Sequence, residues 1–141
     1  ALVASSAATV VWAGRPADPD ADSLAWQPWS EAAVAEARAA GRPVFIDFTA
    51  DWCFTCKVNE RAFIDVEPVR QAVAERDVAI FKADWTNYDD AITEALAEFG
   101  VAAVPYYVFY APDIETPPLH FESVFSSRKI LDAIESISPD G

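Results

Sequence analysis

The chain has 141 residues, of which 52% are hydrophobic, and 10 Lys and Arg against 23 Asp and Glu give it a formal net charge of −13. This length suits one domain with a buried core. So acidic a chain is a poor partner for nucleic acid, which is bound by basic faces that neutralise its phosphates. Its acidity is typical of a solvated protein surface.

The N-terminal residues differ in composition from the rest of the chain. Residues 1–13 are small and apolar but fall short of the ~20 apolar residues of a membrane-spanning helix, so they suit the trimmed end of such a helix or an ordinary flexible terminus. Residues 14–23, GRPADPDADS, are typical of a linker. We therefore predict a domain over 26–141, preceded by a separate segment over 1–25.

From Trp26 onward, apolar residues alternate between the helix and strand periods. Ser30 is a predicted N-cap of a helix that runs to about Ala40. The apolar run 44–49 is typical of a strand covered on both faces. The later predicted elements are a helix from Cys53 towards Ala62, a helical stretch over 69–74 after Pro68, a strand over 78–83, a helix over 90–99, a strand over 106–110, an edge strand in which Phe121, Ser123 and Phe125 alternate, and a final helix to Ile137. This alternation predicts an α/β fold with helices on both faces of a sheet.

The two cysteines, Cys53 and Cys56, fall where the buried strand ends and the next helix begins. A disulfide between them closes too short a loop to stabilise the fold much. Unpaired N–H groups and the dipole at a helix start stabilise a thiolate, which is the attacking form in disulfide exchange. We interpret Cys53 as the nucleophile and Cys56 as the thiol that resolves the mixed disulfide.

A Cys-x-x-Cys pair is also half of a zinc site. Tetrahedral zinc needs four ligands, whereas the chain offers two cysteines and one histidine, His120. The sequence therefore argues against a metal centre. We interpret His120 as an exposed residue of the edge strand with no catalytic role.

Two carboxylates are candidates for adjusting the cysteine chemistry. Asp47 interrupts the buried strand, where burial should raise its pKa and allow it to exchange a proton with a cysteine. Glu60 lies four residues after Cys56 and seven after Cys53, on about the same face of a helix. Spacing alone still favours a solvated position for Glu60.

Residues on both sides of the cysteine pair are candidates for contact with a substrate protein. Pro105 opens a strand, which suits an X-Pro bond of either isomer at a strand entrance. The backbone before it could pair with a partner chain as an added strand. The predicted substrate-binding residues are Trp52, Phe54, Thr55, Val104, Pro105 and Tyr106.

Four segments together resemble the C-terminal thioredoxin-like domain of the DsbD type of membrane protein-disulfide reductases, including the related ScsB group. They are WQPWS at 26–30, RPVFIDFTADWCFTCKVNE at 42–60, KADWT at 82–86 and GVAAVPYYVFY at 100–110. The resemblance implies a thioredoxin-like fold with a central mixed sheet and helices on both faces. It also implies that Cys53 and Cys56 are the active-site cysteines, that Asp47 and Glu60 are the acidic residues that tune them, and that Pro105 is the family's cis-proline.

In that family the domain lies on the periplasmic side of the bacterial inner membrane. It takes electrons from a preceding transmembrane domain and passes them to a periplasmic thioredoxin-fold or immunoglobulin-like protein. The resemblance thus implies a protein-disulfide reductase with no cofactor besides its own redox-active disulfide. It further implies that residues 1–25 are the end of a membrane segment plus a flexible linker, and that this tether is the domain's membrane contact.

Two other functions remain compatible with these residues. An oxidase or isomerase of the same fold would donate its disulfide, and the reduction potential separates it from a reductase. A redox-inert binding module would react with neither dithiols nor protein disulfides. Phe54-Thr55 and Tyr106 stand where thioredoxins commonly have Gly-Pro and Thr, which bears on partner choice and potential.

Overall fold

The computed structural model describes residues 21–124 and 126–139 of the chain. Its elements are β1 (Gln27–Pro28), α1 (Glu31–Ala39), β2 (Val44–Thr49), α2 (Phe54–Asn59) with a π-helical turn (Glu60–Ile64), α3 (Glu67–Glu75), β3 (Ala79–Asp84), α4 (Asp90–Glu98), β4 (Tyr106–Tyr110), β5 (Leu119–Phe121) and α5 (Ser127–Ile137). The strands form one sheet in the order β1-β3-β2-β4-β5. Strands β1, β3 and β2 are parallel, and β4 is antiparallel to both β2 and β5. The predicted α/β fold with a mixed sheet is confirmed.

Strand β2 lies at the centre of the sheet, and all six of its residues are buried. Its odd-numbered and even-numbered side chains lie on opposite faces of the sheet, because successive residues of a strand alternate in direction. Phe45 stacks on Phe109 at 4.4 Å between ring centroids, in the layer that contains buried residues of α3 and α5. Ile46 and Phe48 lie in the opposite layer with α1 and α4. The nearly continuous apolar run over 44–49 reflects this burial on both faces.

The edge strand was predicted too far along the chain. Strand β5 covers Leu119–Phe121, and Phe121 pairs with Tyr107 of β4. Continuing this antiparallel register would place Ser123 opposite Pro105, which has no N–H to donate to a ladder. The strand therefore ends before Ser123, and Phe125 lies outside the described residues. The two-residue strand β1 was not predicted, since so short a segment carries no period.

Helix α1 begins with the predicted cap. The Ser30 hydroxyl oxygen accepts a hydrogen bond from the Ala33 backbone N–H at 3.0 Å. We expect Ser30→Ala to lower the free energy of unfolding by about 1 kcal/mol, because one N–H of the first turn loses its acceptor. Urea denaturation measures this loss. Ser136→Ala, in an exposed position inside α5, is the matched control and should cause none; equal losses in both variants would contradict a capping role.

The N-terminal segment is described only in part. Residues 1–20, which hold the apolar stretch and most of the expected linker, lie outside the described residues. Within residues 21–124 and 126–139, no helix has the length and apolar character needed to cross a membrane.

Candidate active site: a disulfide at the start of a helix

Cys53 and Cys56 form a disulfide, with their Cα atoms 5.3 Å apart. Cys53 is the N-cap residue of α2, and its sulfur accepts a hydrogen bond from the Cys56 backbone N–H at 3.1 Å. Both cysteines are more than 90% buried. The same N–H group and the helix dipole would stabilise a thiolate on Cys53 after reduction. The predicted placement of the pair at the junction of strand and helix is confirmed.

The Val104–Pro105 peptide bond is cis and lies beside the disulfide. Val104 packs against the small buried cluster of Ala50, Cys53 and Cys56. Pro105 leads directly into β4, so the central sheet fixes the position of this loop.

The other predicted substrate-binding residues differ in exposure. Phe54 is 81% exposed and Trp52 is 51% exposed, and Thr55 between the cysteines is also exposed. Tyr106, in contrast, is 3% exposed, and its hydroxyl forms a hydrogen bond with Nδ1 of His120. The Tyr106 side chain therefore belongs to the interior, while Trp52, Phe54 and Thr55 form an open surface beside the sulfurs.

Trp52 belongs to an aromatic group that the sequence analysis did not single out. Its ring stacks on Tyr88 with centroids 5.8 Å apart, and Tyr88 meets Trp85 edge-on at 5.0 Å. The Trp52 indole N–H donates to the Thr86 carbonyl oxygen at 3.1 Å, which fixes the ring over the loop between β3 and α4. Tyr88 lies in that loop, where no periodic pattern marks a residue as part of a site.

Asp47 is buried, as predicted, and is 2% exposed. Its Oδ1 atom has no hydrogen-bond partner among the described residues. The pKa of Asp47 is raised to about 7, mainly by burial; the charges of Lys82 and Lys57 oppose the rise, and that of Glu60 adds to it. The carboxyl group can therefore bind or release a proton near neutral pH.

Asp47 is part of a polar cluster that comprises Asp47, Asn59, Glu60, Lys82 and Tyr107. Asp47 is in register with Lys82 on β3 and with Tyr107 on β4. The Lys82 Nζ lies 2.7 Å from Oε2 of Glu60. The Asn59 side-chain amide donates to the Tyr107 hydroxyl at 3.0 Å. Helix α2 with its π-helical turn and strands β2, β3 and β4 thus meet at one group of polar side chains, of which Glu60 and Lys82 are partly exposed.

The polar cluster lies next to the disulfide helix because of the spacing along α2. Asn59 follows Cys56 by three residues, which places both on one side of the helix, and both are buried. Glu60 opens the π-helical turn, a feature that is frequent at functional sites. The structure therefore brings Asp47 and Glu60 together through Lys82, on the side of α2 that carries Cys56.

Three members of the polar cluster, Asn59, Lys82 and Tyr107, were missed in the sequence. Tyr107 stands in an apolar strand run, and burial together with the charge of Asp47 raises the pKa of its hydroxyl. Lys82 can be assigned to the polar cluster only if the register of β2 against β3 is known. Within residues 21–124 and 126–139, no three His, Cys, Asp or Glu side chains are grouped to hold a metal ion.

The fold and the site define a thioredoxin-like domain whose Cys-x-x-Cys disulfide starts a helix, an arrangement that supports thiol–disulfide exchange. The chain belongs to the thioredoxin-like family, whose model matches residues 25–112. Among curated relatives, thiol:disulfide interchange protein DsbD 1 of Pseudomonas aeruginosa is 35% identical over 103 residues, or 72% of this chain. DsbD of Ralstonia nicotianae is 38% identical over 109 residues, or 73% of this chain. The matched region corresponds to 17% of the length of each relative.

Solved structures show the same fold. The oxidised C-terminal domain of Neisseria meningitidis DsbD superposes with a TM-score of 0.62 at 22% identity, over 80% of this chain and 99% of that chain. Trxlp of Edwardsiella tarda gives a TM-score of 0.59 at 29% identity, over 78% of this chain and 98% of that chain.

Proposed function

We propose that this domain is a periplasmic protein-disulfide reductase that receives electron pairs from a transmembrane domain and passes them to a periplasmic thioredoxin-fold or immunoglobulin-like protein. One observation carries the proposal: the buried Asp47, with a pKa near neutrality, lies in a polar cluster beside a Cys-x-x-Cys helix. The similarity to DsbD, of which this chain matches a small part, supports a role as one domain of a longer electron-transfer protein.

The first step is attack by the Cys53 thiolate on one sulfur of the partner disulfide. A bond forms between Cys53 and that sulfur, the partner's S–S bond breaks, and its other sulfur leaves with the electron pair and takes up a proton. Cys53 is suited to this role because it caps α2, where backbone N–H groups favour the thiolate. The product is a mixed disulfide between the domain and its partner.

The second step resolves the mixed disulfide. The Cys56 thiol gives its proton to the Asp47 carboxylate, and the Cys56 sulfur attacks Cys53. The Cys53–Cys56 bond forms, and the second partner sulfur leaves as a thiolate. Two electrons have then passed to the partner, and the domain is left with the disulfide seen in the structure. The upstream dithiol restores the reduced form by the same steps in reverse.

The polar cluster supports Asp47 as the proton acceptor. Its carboxyl group is shielded from water, and Oδ1 has no hydrogen-bond partner among the described residues to compete for a proton. Glu60 and Lys82 form an ion pair at 2.7 Å with side chains 25% and 29% exposed, so this part of the polar cluster reaches solvent whereas Asp47 does not. Glu60 thereby adjusts the proton affinity of Asp47 and offers a route for the proton to leave.

The substrate-binding surface is formed by Trp52, Phe54, Thr55 and the backbone at Val104 and Pro105. The exposed aromatic rings give contact area next to the sulfurs. The backbone at Val104 can pair with an extended segment of the partner, which gives affinity without requiring one side-chain sequence.

The reduction potential tests this function against a disulfide donor. The negative charge of Asp47 and Glu60 disfavours a thiolate, so the reduced form should be poorly stabilised. We expect a midpoint at or below the middle of the range between thioredoxin, at about −270 mV, and DsbA, at about −120 mV. Equilibration in graded thiol–disulfide buffers, followed by alkylation and mass spectrometry, gives the reduced fraction.

One variant and its matched control test whether Asp47 lowers the midpoint potential. Asp47→Asn should move the midpoint to a less negative value, because the thiolate no longer faces a buried negative charge. Asp51→Asn, at a carboxylate with a 78% exposed side chain, is the matched control and should move it far less. A wild-type midpoint near that of DsbA would instead favour an oxidase or isomerase, and no reaction with any dithiol would favour a redox-inert module.

A further inference from the structure

We infer that Tyr88 and the acidic residues at the two ends of its loop form a second docking surface beside the disulfide, which binds a partner protein with arginine or lysine side chains next to its own disulfide. This inference rests on the proposed function and names the chemistry of the partner. Neither Tyr88 nor the loop between β3 and α4 takes part in the exchange steps described above.

The exposed apolar side chains are concentrated at the disulfide end of the domain. Among the described residues, the large exposed apolar side chains are Trp52, Phe54, Val58, Tyr88 and Ile114. The first three lie in or next to α2, and Tyr88, which is 58% exposed, stacks on Trp52. Tyr88 therefore extends the aromatic surface from the cysteines towards the start of α4.

The surface around Tyr88 is held in place before any partner binds. The Tyr88 N–H donates to the Trp85 carbonyl oxygen at 3.0 Å. The Trp85 indole N–H donates to the Thr93 hydroxyl at 2.8 Å, which ties the loop to α4. Tyr88 has a φ of +55°, in the left-handed region that a bulky side chain rarely adopts. A fixed aromatic ring loses little conformational entropy when a partner binds.

Exposed acidic residues follow Tyr88 directly in the loop and on α4. Between Lys82 and Arg128 the sequence has no Lys or Arg. Within residues 21–124 and 126–139, the exposed carboxylates that lie near Tyr88 in the sequence form no ion pair; they are Asp84 at the end of β3, Asp89 in the loop, and Asp90 and Glu94 on α4. An exposed tyrosine ring amid carboxylates suits an arginine or lysine, which can contact the ring face and pair with the acids.

Three disulfide-bonded peptides that differ only in the residues flanking the disulfide test the inference. The flanking residues are Arg, Gln or Glu, and the second-order rate of reduction by the reduced domain is measured at low and high ionic strength. At low ionic strength we expect the Arg peptide to react about fivefold faster than the Gln peptide and the Glu peptide to react more slowly. At high ionic strength the Arg-to-Gln ratio should fall towards one.

Two variants test whether the faster reaction of the Arg peptide depends on the surface around Tyr88. Tyr88→Asn, with a residue that tolerates positive φ, and Asp90→Asn should each lower the Arg-to-Gln rate ratio about twofold or more. The matched controls are Ile114→Asn, at an exposed side chain beyond the other end of β4, and Asp132→Asn on α5; both should keep the wild-type ratio. Circular dichroism checks that each variant is folded.

The outcomes separate this inference from the proposed function. Equal rates for all three peptides in the wild type, or an unchanged ratio in folded Tyr88→Asn and Asp90→Asn, would overturn the docking surface and leave the reductase function standing. Failure of the domain to reduce any peptide, or the small neutral disulfide of 2-mercaptoethanol, would overturn the reductase function itself.

Discussion

The Cys56→Ser domain should accumulate a covalent complex with a disulfide-bonded peptide, whereas Cys53→Ser should form none. Cys53 attacks the peptide disulfide and carries the mixed disulfide, so its loss should lower the rate of peptide reduction by more than ~1,000-fold. Without Cys56 the mixed disulfide on Cys53 has no internal thiol to resolve it. Mass spectrometry under non-reducing conditions detects the complex and identifies the cysteine that carries it.

The N-cap position of Cys53 explains why serine is a suitable replacement there. The Cys53 sulfur accepts the Cys56 N–H, and a serine hydroxyl at the N-cap position can accept the same hydrogen bond. Cys53→Ser should therefore retain the start of the helix and differ from the wild type mainly in chemistry. A complex formed through Cys56 in the Cys53→Ser domain would reverse the two assigned roles.

The oxidised domain should lose stability between about pH 4 and pH 7, and Asp47→Asn should remove most of that loss. The pKa of Asp47 is about 7 in the folded state against an ordinary value of 3.8. Between these values the folded state keeps a proton that the unfolded state has released, so the free energy of unfolding falls as the pH rises. By the linkage between proton binding and folding, a pKa shift of this size lowers the free energy of unfolding by up to about 4 kcal/mol.

Urea denaturation of the oxidised proteins from pH 4 to pH 8 measures this dependence, and the disulfide keeps both cysteines from titrating. Asp51→Asn, at an exposed carboxylate, controls for general charge effects and should retain the wild-type slope. The difference in slope between Asp47→Asn and wild type isolates the buried group even if the amide changes the overall stability. Parallel curves for wild type and Asp47→Asn would contradict a raised pKa at this position.

Local patterns in the sequence predict those parts of the fold whose burial follows from one element alone. The run 44–49 indicates a central strand because both of its faces are covered, and the cysteine pair indicates a strand–helix junction. The alternation of Phe121, Ser123 and Phe125 misplaced the edge strand. Its end depends on the residue opposite in β4, and that residue, Pro105, is distant in sequence.

The residues of the site also divide into those that a short segment of sequence reveals and those that only contacts between distant segments reveal. Cys53, Cys56 and Asp47 are recognisable because a short segment holds the strand, the turn and the helix start. The bond between Asn59 and Tyr107 joins residues 48 positions apart, and that between Glu60 and Lys82 joins residues 22 positions apart. Without an established register between the strands, neither contact can be derived from spacing.

The short strands at the two edges of the sheet bear on how copies of the domain behave at high concentration. Strand β1 has two residues, one of them Pro28, and β5 has three. A neighbouring copy therefore finds little edge backbone with which to extend the sheet, and proteins commonly use short edge strands and proline to prevent such growth into aggregates. The domain can thus be crowded without joining its neighbours into a continuous sheet.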